Sequence, residues 1–137
     1  MSDQLEQLAK PFPQSLIKRK PGKAGSDYVK HSVVAEKLLA TVGPYDFRVV
    51  REIRDADTSQ IVGVIGELTC TIDGRVTTIA EAGDCENPGN WPHDGARVKN
   101  AASDAFKRCA MRLGCGLHLW SQDAYRLPRA LAKDGTP

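Results

Sequence analysis

Lys107 and Arg108 stand side by side in the stretch KNAASDAFKRCAMRLGCGLHLW, residues 99–120. Ser103 lies one helical turn before Lys107, Lys99 and Arg97 lie further upstream, and Arg112 follows Arg108 by one turn. These residue types suit phosphate oxygens. Arg offers a planar donor fork, Lys a compact charge and Ser a hydroxyl donor. The same stretch carries Ala102, Ala105 and Cys109 on another side, small residues that let a helix approach what lies behind it. A cation on a rigidly backed helix loses less freedom when it binds. A basic helix face is more often simply solvated, however, and does not by itself separate a nucleic acid from another polyanion.

The charge distribution sharpens this. Overall charge is only +2. Residues 10–30 hold six basic residues against Asp27 alone, a local +5, and residues 97–112 hold five against Asp104 alone, a local +4. The rest of the chain therefore carries −7. Two basic islands in an otherwise acidic chain point to local anion binding. Lys18, Arg19, Lys20 and Lys23 of the first island sit in a Pro/Gly-rich stretch and form the candidate outer anion contact.

The elements that must position these residues follow from periodicity. A chain of 137 residues with 41% apolar content fits one domain with one core. The segment 28–42 is amphipathic at helical spacing, with Asp27 as its expected cap and Gly43-Pro44 as its stop. Three stretches then alternate as half-buried strands do: 46–54, 61–72 and 75–81, the last two joined by the hairpin signal Asp73-Gly74. Residues 83–95 read as a loop. Asp94 is the expected cap of a long helix over 96–113, ended by Gly114. On a helical wheel Val98, Ala102, Ala105, Phe106, Cys109 and Leu113 share the sheet-facing arc. Arg97, Asp104, Arg108 and Arg112 gather opposite, flanked by Lys107, and Lys99 sits at the far edge of the apolar arc. The fold class expected is α+β, an antiparallel three-stranded meander packed on a long helix. Residues 1–26 are expected as a basic flexible arm with at most a weak helix at its start. Residues 27–120 form the core domain, and 121–137 a tail with a short helix interrupted near Pro128.

The order of elements and the run VKNAASDAFKRCAMRLGCGLHLW resemble the Rad52-type single-strand annealing proteins, in particular their short phage and bacterial members. The signature helix is met by Lys99, Ala101-Ala102, Ser103-Asp104, Phe106, Lys107-Arg108 and Gly114, and PFP at 11–13 and YVKHSVVAEKLL add to it. The resemblance covers roughly residues 10–120. It implies an undecamer-type core that assembles into a homo-oligomeric ring, binds single-stranded DNA in a basic groove and anneals complementary strands without ATP. Lys107 and Arg108 are then the inner contacts, with Lys99 and Ser103 lining the groove and Lys30 or His31 contributed by the first helix. The family often carries a basic residue three positions after the Arg, where this chain has Met111. Arg112 comes one step later and points about 100° elsewhere. The long tail by which eukaryotic relatives engage a recombinase and a single-strand-binding protein is not expected, and either protein stays an open partner, its identity unassigned.

Other features fit that reading. There is no phosphate-binding G-x-x-x-x-G-K-[ST] loop and no signal-peptide pattern at MSDQLEQLAK. The expectation is a cytoplasmic binding protein of a bacterial or phage-infected cell, not an enzyme, with no cofactor, metal or membrane partner. Cys70, Cys85, Cys109 and Cys115 are expected as buried thiols. A zinc site on Cys85, His93, Cys109 or Cys115 would need a ligand spacing unlike the standard patterns. The rival readings are a single-strand binder that does not anneal and a metal-dependent enzyme using Asp84, Cys85, His93 and Asp94. Among the few aromatics, Tyr28, Tyr45, Trp91, Trp120 and Tyr125 are candidate base-stacking residues. Trp120 is expected to pack in the core or between subunits, and Trp91 to be more open.

Overall fold

The computed structural model describes residues 3–19, 27–121 and 124–134. Its centre is the antiparallel sheet of β3 (Asp46–Arg54), β4 (Ile61–Ile72) and β5 (Arg75–Asp84), in that spatial order. The middle strand shows why alternation was readable. Val64, Gly66, Leu68, Cys70 and Ile72 are buried, and Ile65, Glu67, Thr69 and Thr71 turn to the wetter face. Register places Phe47, Leu68 and Ile79 in one row across the three strands. Asp73 and Gly74 both take positive φ, 55° and 77°. That pair of angles lets a two-residue turn follow the twist of the strands it joins. β5 runs three residues beyond its predicted end, and β3 carries a register shift between Val49 and Arg51.

Across one face of the sheet lies α3 (Asp94–Met111). It starts two residues before the predicted 96, and His93, not Asp94, caps it by accepting the Ala96 N–H. Ala101, Ala105, Cys109 and Ala110 are buried, and so is Phe106. The predicted arc therefore widens. Val98, Ala102 and Leu113 pack only at the margins of the core, while Ala101 and Ala110 lie inside it. The helix has two neighbours, the sheet on one side and α2 (His31–Val42) on another, so more than one stripe is covered. Phe106 is the hub. Its ring lies 5.4 Å from Phe47 edge-on, 5.5 Å from Tyr45 and 4.5 Å from His31. The four cysteines are buried thiols. Burial pushes that of Cys115 up to about 11, against the opposing pull of Lys37, so it stays a protonated, inert core group.

The N-terminal stretch departs from its expected role as an arm. α1 (Asp3–Ala9) buries Leu8 and Ala9 completely, and Phe12 follows them into the core. Apolar residues at 5, 8, 9 and 12 form a helical stripe, too short to outweigh the prolines around it in a reading of composition. Phe12 N–H donates to Nε2 of His118 at 3.1 Å, and burial, followed by the charge of Lys37, lowers the pKa of that imidazole. A four-residue helix α4 (His118–Ser121) and α5 (Leu127–Asp134) complete the domain. α5 packs on α1, and Tyr125 O–H donates to the Ala9 carbonyl. Pro128 does not interrupt this helix. It falls in the first turn, where its missing N–H costs nothing.

Helix α2 begins three residues later than predicted, after Lys30, and Asp27 does not cap it. Asp27 and Tyr28 instead form β2, which pairs with β1 (Lys18–Arg19) in a two-stranded ladder. Lys18 faces Tyr28 in that register and Arg19 faces Asp27.

Candidate nucleic-acid interface

The ladder brings the two basic islands together. Tyr28 lines a cleft of about 320 Å³ whose other walls include Asp27, Asp104, Lys107, Leu119 and Trp120. Lys107 reaches into it from α3. Its Nζ donates to the Val29 carbonyl at 3.4 Å and stands 5.9 Å from the centre of the Tyr28 ring. Arg108 points about 100° away around the helix. Its guanidinium carbon lies 5.0 Å from the centre of the Trp120 ring, and Nε stands 3.9 Å from Oε1 of Glu81 on β5. The two cations thus flank the cleft through its two aromatic walls, and Lys18 and Arg19 are exposed strand partners of Tyr28 and Asp27, which line it. This is a surface trough backed by a packed helix, not a dry interior.

Ser103 and His31 extend the same side. Ser103 Oγ and His31 Nδ1 are 3.1 Å apart. The pKa of His31 is lowered by burial first and by the nearby Lys107 second, so the ring favours its neutral form. An anion at Lys107 would relieve the second of these effects. Lys30 is exposed at the start of α2, next to His31, and Lys99 is exposed two turns up α3 from Lys107. Arg112 turns to the sheet edge. Nη1 donates to the Ala80 carbonyl at 3.0 Å and stands 3.7 Å from Oε2 of Glu81, with half of the side chain still open to solvent. Lys20 and Lys23 lie outside the described residues.

Arg97 is placed otherwise than the wheel put it. It is 7% exposed, with its guanidinium shared among the Pro88 carbonyl (2.8 Å), the Trp91 carbonyl (2.8 Å) and Asp94 (2.9 Å). It therefore points into the 83–95 loop, pinning that loop to α3, and not toward the cleft. A wheel has no knowledge of carbonyls delivered by a distant loop. Asp94 also takes a hydrogen bond from Arg54, the main cause of its lowered pKa, and others from Ile61 N–H and Arg97. Arg97→Met should cost about 2–4 kcal/mol of stability, because it strands buried acceptors. It should leave polyanion affinity near wild type where the variant is folded. Thermal melts paired with binding titrations below the transition check both halves.

The residues of the metal-enzyme alternative have structural roles here. His93 caps α3, Asp94 holds arginines, Cys85 is buried, and the Asp84 N–H is bound by Asp104 at 3.0 Å. Among the described residues, no three His, Cys, Asp or Glu side chains are placed to share a metal ion. Among them too, no helix is long and apolar enough to cross a membrane.

Of the placements expected for Trp120, the core is excluded: the residue is 52% exposed on the cleft. Sequence reasoning missed that Glu81 of β5 stands beside Arg108 and Arg112. The α4 turn that presents Trp120 is four residues long, too short to leave a periodic signal.

A family model described as "Rad52/22 family double-strand break repair protein" matches residues 1–134. Two curated relatives carry the name single-stranded DNA-binding protein DdrA. That of Deinococcus radiodurans is 33% identical over 138 aligned positions, covering 96% of this chain and 59% of the relative. That of Deinococcus deserti is 31% identical over 121, covering 88% and 58%. The chain thus spans a little under three fifths of the length of these relatives.

Proposed function

The chain belongs to the Rad52/22 family of double-strand break repair proteins, and on that footing we propose that its cleft binds single-stranded DNA and that it anneals complementary strands without ATP. The observation that carries this reading is one open trough lined by Lys107, Tyr28 and Trp120, with Arg108 over the Trp120 ring and both cations carried on a helix the sheet backs tightly. Names given to relatives as single-stranded DNA-binding proteins add support.

The mechanism rests on what the cations grip. Neutralising phosphates releases counterions, so affinity falls steeply as salt rises. Holding the backbone leaves base edges free to sample a second strand. Pairing supplies the free energy, so no nucleotide hydrolysis enters and no catalytic step is assigned. The proposed location is the cytoplasm.

The assembly proposed is a homo-oligomeric ring. A sheet edge is a liability when bare. Among the described residues, β3 has a neighbouring strand on one side only. The outer edge of β5 is already engaged by α3, through Arg112 on the Ala80 carbonyl and Asp104 on the Asp84 N–H. The two edges therefore differ, which suits a head-to-tail contact that closes around a ring.

The test mixes two complementary labelled oligonucleotides with the protein in the absence of any nucleotide, and measures mass by light scattering. Annealing faster than the protein-free control, with a mass of many subunits, is expected. Strand binding without acceleration, or a monomer, would leave a binder that does not anneal. A strict ATP requirement would contradict the mechanism.

A further inference from the structure

We infer that Trp120 is a stacking platform for one nucleobase of the bound strand. This rests on single-stranded DNA being the ligand of the cleft and adds a contact of a different kind. Large apolar side chains that remain exposed are common singly on protein surfaces and by themselves mean little. Trp120 differs in its surroundings. It is 52% exposed, it lines the cleft that Lys107 enters, and the Arg108 guanidinium lies 5.0 Å from its ring centre. The chain has two tryptophans. Trp91 is occupied otherwise, with its indole N–H donating to the Glu86 carbonyl at 2.8 Å and its ring packed beside the small cluster of Val64, Cys85, Ala101 and Ala105.

The backbone holds Trp120 in place. Its N–H donates to the Leu117 carbonyl at 2.9 Å, the next residue's N–H donates to the same carbonyl at 3.0 Å, and Leu119 beside it packs against the core. The backbone that carries the indole is thus held before a ligand arrives, and the Arg108 guanidinium already lies against the ring. A ring already attractive to a guanidinium presents an electron-rich π surface, and every base has a π face to lay on it. One nucleotide could place its base on Trp120 and its phosphate between Arg108 and Lys107. Stacking uses the face of the base and leaves its Watson–Crick edge free, which is the edge a second strand must read.

The experiment uses Trp91→Phe, which leaves Trp120 as the sole indole reporter. A labelled oligo-dT and an abasic sugar-phosphate strand of equal length are the two probes. Oligo-dT should quench Trp120 emission and the abasic strand should not. In fluorescence anisotropy, Trp120→Ala should bind oligo-dT about 10-fold more weakly. It should bind the abasic strand as wild type does and keep the same salt slope, and Trp120→Phe should recover part of the loss. Equal oligo-dT binding by wild type and Trp120→Ala overturns the inference alone. So does an equal loss for both strands, which would make Trp120 a prop for Arg108, or a change in assembly mass, which would make it a subunit contact. Failure of wild type to bind either strand overturns the reading of the cleft, and the inference with it.

Discussion

Replacing Lys107 and Arg108 together by alanine should lower affinity for single-stranded DNA by about 100-fold or more while the protein stays folded. The size follows from two charge-assisted phosphate contacts, each contributing about 1.5–3 kcal/mol where partly shielded from water. The salt dependence should change with it. Each phosphate contact to a single strand adds about 0.7 to the slope of log affinity against log salt, so the double variant should lose about 1.4 of that slope.

Stability should change little, because the cations hold the fold lightly. Arg108 is 39% exposed and its link to Glu81 is 3.9 Å long. Exposed pairs of that kind contribute at most about 1 kcal/mol. Lys107 is partly exposed, and its hydrogen bond to the Val29 carbonyl is long, at 3.4 Å. A melt within a few degrees of wild type, beside a binding isotherm displaced by two orders of magnitude, would separate ligand contact from architecture. Unchanged affinity would remove the cleft as the binding site.

The single variants should not be equal. Lys107 lines the cleft itself, and Arg108 acts across the Trp120 ring. Arg108→Lys keeps a charge but gives up the planar fork and much of the contact with the indole. It should fall between wild type and Arg108→Ala, whereas Lys107→Arg should bind nearly as wild type does.

What the sequence made legible follows from what each signal encodes. Alternation in 61–72 gave the central strand because burial in a sheet repeats every second residue, and Asp73-Gly74 gave the hairpin because few other pairs tolerate two positive φ angles. The Lys107-Arg108 pair was legible as cations on a helix backed by small residues, because that is a local pattern. Features made by contacts distant in sequence were not legible. The start of α2 slipped because Asp27 and Tyr28 pair with Lys18 and Arg19, a choice no local propensity records. Arg97 was assigned to the outward anion-binding face because the acceptors that bury it come from a loop. Ala101 and Ala110 were left out of the buried arc since alanine carries little hydrophobic signal, although both are fully buried. A core place for Trp120 was expected because large apolar residues usually take one, and the short α4 turn sets it on the cleft instead.

The other large effect expected lies behind the site, at Gly83. A Cβ there would fall inside van der Waals contact of Ala101 O and Ala105 N, and 2.8 Å from Ala105 Cβ. Two of these three obstacles belong to the backbone of α3, which cannot turn aside as a side chain can. Gly66 makes a contrasting case on the neighbouring strand. An added Cβ would meet Phe47 Cζ at 2.6 Å and Ala105 Cβ at 3.2 Å, and the nearest obstacle is the end of a half-buried ring on an edge strand. Overfilling a packed core costs about 1–3 kcal/mol, more where nothing can yield. Gly83→Ala should therefore cost about 3 kcal/mol or more, a fall in Tm of about 10 °C, and Gly66→Ala about 1–2 kcal/mol. Both figures are net of the entropy an alanine saves in the unfolded chain. The protein can escape the Gly83 clash only by lifting α3 off β5, and that displaces Arg108 and Arg112 from Glu81 and the Ala80 carbonyl. Folded Gly83→Ala should then bind single strands more weakly than folded Gly66→Ala, although neither glycine touches DNA. Denaturant melts and binding titrations on the two variants give the comparison. Equal stability of Gly83→Ala and wild type would mean that the helix carrying Lys107 does not rest on β5 at this spacing. The rigid backing on which the cationic grip depends would then have to come from elsewhere.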